Sequence, residues 1–69
     1  MKQNDNLDEV RFYLISAKKS RGYTIMDLAR SFKVSYATVW KLLNGVFEGF
    51  SSGMIENLSE KAKNNILDL

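Results

Sequence analysis

Apolar residues recur along this chain at intervals of three and four, and alternating runs rich in β-branched residues are missing, so the periodicity is that of helices. Val10, Leu14 and Ala17, widened by Leu7 and Tyr13, form the stripe of a first helix expected over about 7–20. The spacing of Asn6 and Glu9 is that of an N-terminal cap for it, and the polar residues ahead of Asn6 read as a frayed start. Phe12 and Ile15 fall outside the stripe, either to pack under the C-terminal segment or to stay partly exposed. Ile25, Leu28, Ala29 and Phe32 mark a second helix over about 25–32, and Val39, Leu42 and Leu43 a third over about 36–44. Ile55, Leu58, Ala62, Ile66 and Leu69 share one face of a helical segment over about 53–68, which Ser59 leaves readable as one helix or as two.

The chemistry between these stripes agrees with them. The Thr24 hydroxyl is placed to accept from an unpaired N–H in the first turn of helix 2, with Asp27 three residues on for the reciprocal bond, and Ser35 is placed to cap helix 3. Tyr23 with Leu28, and Val34 with Val39, have the spacing of hydrophobic staples. Gly22 and Asn44-Gly45 end the helices before them. Lys33 stands in the corner between helices 2 and 3, which requires either a left-handed lysine or a slightly different turn. A corner this short, with both apolar faces on a shared core, forces the helices to cross steeply as a helix-turn-helix, and Ala29 is small enough to let helix 3 approach. The fold expected is all-α, a single-domain compact bundle of four to five short helices.

Sixty-nine residues give a thin core, stabilised by a metal, disulfides, helix packing or self-association. The chain has no cysteine and no histidine, which argues against the first two and leaves no usual base and nucleophile pair for an enzyme. No metal, cofactor or small-molecule ligand is expected. A cysteine-free chain whose start, MKQNDNLDE, is polar and acidic, and which holds no apolar run of membrane-spanning length, is expected in the cytoplasm. The formal net charge of +2 conceals an asymmetry. From Arg11 to Lys41 there are seven basic residues against Asp27 alone, whereas the flanks hold three basic and seven acidic residues. Positive charge is concentrated on the segment with the two capped helices, as on a surface that meets a polyanion.

The run TIMDLARSFKVSYATVWKLLNG resembles the helix-turn-helix of the phage repressor and Cro family, the lambda-repressor-like DNA-binding domains. Gly22, Thr24, Leu28, Ala29, Val34, Ser35, Thr38, Val39 and Asn44-Gly45 carry the resemblance. Ile25 departs from it, standing where the family often has a glutamine, and Lys33 stands in place of the usual corner glycine. The resemblance implies a small sequence-specific regulator, of phage or mobile-element type, that binds double-stranded DNA with its second motif helix in the major groove. Ser35, Tyr36, Ala37, Trp40 and Lys41 match its base-facing positions. Of these, Tyr36, Ala37, Trp40 and Lys41 are also the residues that the apolar stripe leaves on the solvent side.

Lys41 is suited to guanine O6 and N7, and Ala37 to a thymine methyl. Trp40 either packs over sugar and phosphate or leans onto Tyr36 and the core. Phosphate contacts are expected from Lys18, which the resemblance favours most, and from Lys19, Arg21, Arg30, Lys33, Thr38 and Asn44. One such unit reaches only a few base pairs, so a homodimer on a palindromic operator is expected, formed in solution or only on DNA. Phe47 and Phe50, in a glycine- and serine-containing loop, are either folded onto the core or displayed, with Met54, as dimer contacts. The competing reading is a protein-interaction module, such as an antitoxin, antirepressor or assembly adaptor, on the same scaffold.

Overall fold

The computed structural model describes the backbone of residues 2–69 and the side chains from Asn6 onward. The described chain is all-α, with four helices: α1 (Lys2–Arg21), α2 (Ile25–Phe32), α3 (Tyr36–Leu43) and α4 (Ser52–Lys63). The α1 stripe is sealed, with Leu7, Val10, Leu14 and Ala17 all buried. Against it and one another lie Leu28, Ala29 and Phe32 of α2, Val39 and Leu42 of α3, and Ile55 and Leu58 of α4. The main packing is α1 on α4, α2 on α3 and α1 on α3.

Local chemistry sets the ends of the short helices. Thr24 and Asp27 form the reciprocal cap at α2, each bond 3.1 Å, and Ser35 caps α3 by accepting from the Thr38 N–H at 3.2 Å. Three helices finish with the same paired backbone bonds, in which two N–H groups beyond the last turn reach back to its carbonyls. At α2, Val34 N–H bonds to Ala29 O and Lys33 N–H to Arg30 O; at α3 the pairs are Val46 with Lys41 and Gly45 with Leu42; at α4, Ile66 with Lys61 and Asn65 with Ala62. The motif needs one left-handed residue, supplied by Lys33 (φ 58°), Gly45 (φ 74°) and Asn65 (φ 53°) respectively. The corner therefore uses a left-handed lysine.

Some expectations are corrected, and alternatives left open by the sequence are resolved. Helix α1 starts at Lys2 rather than near Leu7, so Asn6 lies inside it and does not cap it. Helix α3 ends at Leu43, with Asn44 as its C-cap. Helix α4 passes through Ser59 without a break but stops at Lys63 rather than near Asp68. After the left-handed Asn65 the chain changes direction, which buries Leu67 and leaves Ile66 and Leu69 exposed, against the face expected of them. Phe12 is exposed and Ile15 half-buried.

Two cations tie α2 and α3 to the outer helices. Arg11 Nε of α1 donates to the Leu43 carbonyl at the end of α3, 3.3 Å away, and Lys61 Nζ of α4 donates to the Phe32 carbonyl at the end of α2. Each places positive charge at the carbonyl pole of a helix.

Candidate nucleic-acid interface

Val39 and Leu42 are buried, so rotation about the α3 axis turns Tyr36, Ala37, Trp40 and Lys41 outward. Tyr36 is 52% exposed and Trp40 46%, which excludes aromatic core packing for both. Residues three and four apart on a helix are neighbours, and these four line one open depression whose walls are mostly carbon. Lys41 forms its basic edge and reaches toward Gly49: a methyl placed on that glycine would lie 4.0 Å from Lys41 Nζ.

The hydroxyls at the start of α3 are already engaged. Ser35 Oγ accepts from the Thr38 N–H and lies 2.9 Å from Thr38 Oγ1. Ser35 therefore acts as the cap of α3, and its hydroxyl is already engaged there. Asn44 Nδ2 donates to the Trp40 carbonyl at 2.8 Å, closing the other end of the helix.

Of the expected phosphate contacts, Lys18, Lys19, Arg30 and Lys33 are exposed. Arg21 is also exposed but donates to the Asp68 carbonyl, which ties it to the C-terminal turn. Thr38 is half-buried within the cap. Phe47 and Phe50 are half-buried and packed against the core, which answers the question left open for them; Met54 is exposed in the first turn of α4.

Sequence reasoning missed Arg11 and Lys61 as supports of this surface. Their partners lie 32 and 29 residues away, and no local spacing signals such a bond. Asp27 was read correctly as half of a cap. Its carboxyl is held below the usual carboxylate range by the hydrogen bonds from Thr24, backbone first and side chain second, with Arg30 adding a weaker attraction against a small opposing effect of burial.

Among the described residues no group of three or more acidic, histidine or cysteine side chains is placed to hold a metal, and no helix is long and apolar enough to cross a membrane. No protein-family model, curated protein or solved structure matches this chain.

Proposed function

We propose that this chain is a sequence-specific, double-stranded-DNA-binding regulator of the phage repressor and Cro type, with α2 and α3 as its helix-turn-helix and α3 docked in the major groove. The observation that carries this reading is the outward face of α3: Tyr36, Ala37, Trp40 and Lys41 lie open together on a helix whose ends are capped from within. The major groove is wide enough for such a helix and presents a distinct pattern at each base pair. Exposed Lys18, Lys19, Arg30 and Lys33 are available as cations for phosphates.

A homodimer belongs to the same proposal. Helix α3 is eight residues long, about 12 Å, and so reaches only a few base pairs of a groove. One copy therefore serves one half-site, and an inverted repeat takes two. The test is selection of duplexes from a random pool at two salt concentrations. Recovery of an inverted repeat, bound less tightly at the higher salt, is the expected result; failure to enrich any sequence refutes the reading. The apolar lining of the depression also fits a hydrophobic side chain of a protein partner, which keeps the interaction-module reading as the second. Stable one-to-one binding to a protein, with no selective duplex binding, would favour it.

A further inference from the structure

The face of α3 carries few hydrogen-bonding groups for a surface that reads bases. Readout by hydrogen bonds in the major groove runs mainly through Arg or Lys on guanine, Asn or Gln on adenine, and carboxylates on cytosine. The depression offers one amine, one phenol and one indole N–H, from Lys41, Tyr36 and Trp40. Ser35, Thr38 and Asn44 at its ends are engaged in capping bonds. What remains is carbon: two aromatic rings and the Ala37 methyl. Ala37 is the residue that keeps the depression open, since a longer side chain there would occupy the space beside Trp40.

The major groove presents one apolar group, the 5-methyl of thymine. We propose, resting on the DNA-binding reading above, that this depression takes pyrimidine 5-methyl groups, thymine in unmodified DNA, with Lys41 donating to a neighbouring guanine. Charge favours this occupant over an apolar side chain of a protein. Lys41 lines the depression and no acidic residue does, while Arg30 and Lys33 are exposed just ahead of α3 in the chain. An apolar depression with a cation at its edge suits a methyl carried on a polyanion. The same methyl group is present in 5-methylcytosine, so a methylated cytosine at that position should bind better than an unmethylated one.

The test starts from a duplex recovered by selection. Each thymine of a half-site is replaced singly by deoxyuridine, which removes the methyl and leaves every hydrogen-bonding group in place. The expected result is a loss of about threefold to tenfold in affinity at one or two of these positions, the scale of burying one methyl. Trp40→Ala, which removes one wall of the depression, should bind the thymine and uracil duplexes alike there. Should that variant fail to fold, Ala37→Ser supplies the same comparison, with a reduced uracil penalty expected. Equal affinity for thymine and uracil at every position, with selectivity and salt dependence intact, overturns the methyl reading and leaves DNA binding standing. An undiminished uracil penalty in both variants overturns the assignment to this depression. Absence of selective duplex binding by the parent overturns both proposals.

Discussion

Lys33 adopts φ 58° and ψ 46°, a conformation in which the Cβ of an L-residue crowds the following carbonyl oxygen. Glycine has no such crowding, so Lys33→Gly should raise stability by up to about 1 kcal/mol, the gain being trimmed by the extra freedom of glycine in the unfolded chain. Urea unfolding measures it; an unchanged or lower midpoint would mean that the lysine is not strained there. Asp27 gives a pH prediction. Its folded pKa lies below its unfolded value, so its contribution is complete above the ordinary aspartate pKa and is lost as pH falls through the depressed folded value. In melting curves taken from neutral pH downward, Asp27→Asn should be less stable at neutral pH and lose less on acidification; parallel curves for the two proteins would argue against the cap as the source. Both residues could be placed from the sequence because caps and corners act over three or four residues. The sequence left the conformation of Lys33 open, since the backbone bonds from Lys33 and Val34 that hold it are visible only in three dimensions.

The helices differ in how much of them could be read in advance. Helices α2 and α3 carry their own start and stop signals, and they fall close to the expected positions. The start of α1 does not. A helix already nucleated and packed from Leu7 onward extends at little cost through residues that would not start one, and so it continues back to Lys2. The end of α4 misleads for a different reason: the apolar period runs on to Leu69, yet the helix stops at Lys63. What redirects the chain is Tyr13, 52 residues before Asn65, whose hydroxyl donates to Asn65 Oδ1 at 2.7 Å and accepts from the Leu67 N–H at 2.9 Å. Asn65 in turn bonds both the N–H and the carbonyl of Leu69. Tyr13→Phe keeps the ring against Phe32 but leaves the Leu67 N–H without its partner, at a cost of about 1–3 kcal/mol. Faster amide exchange in residues 64–69, with α2 and α3 unaffected, is the expected signature; uniform protection would show that the phenol does not hold the turn.

Across the molecule, two of the seven cations in the basic segment have their donors committed within the fold. Arg11 and Arg21 are bonded to backbone carbonyls, leaving Lys18, Lys19, Arg30, Lys33 and Lys41 exposed for the proposed interface. Each phosphate contact contributes about 0.9 to the slope of log affinity against log salt. Lys18→Ala should weaken binding evenly across sequences and lower that slope by about 1 per copy bound, whereas Lys41→Ala should reduce the preference among operator sequences. Quantitative binding over a salt series to selected and scrambled duplexes separates the two, and identical behaviour of both variants to the parent would show that the docking face is misplaced. The outward residues of α3 were recognisable in the sequence because the buried stripe defines its opposite side. The capping bond of Ser35 was recognisable too, since it acts over three residues, whereas the engagement of Arg21 was not, because its partner Asp68 is brought near only by folding.

The bonds from Arg11 and Lys61 have a consequence for how such a protein could diverge. They hold the end of α3 to α1 and the end of α2 to α4. Under the proposed docking, drift at positions 11 or 61 would alter how the α2–α3 pair is presented, and with it the tolerated gap between half-sites, while every base-facing side chain stayed the same.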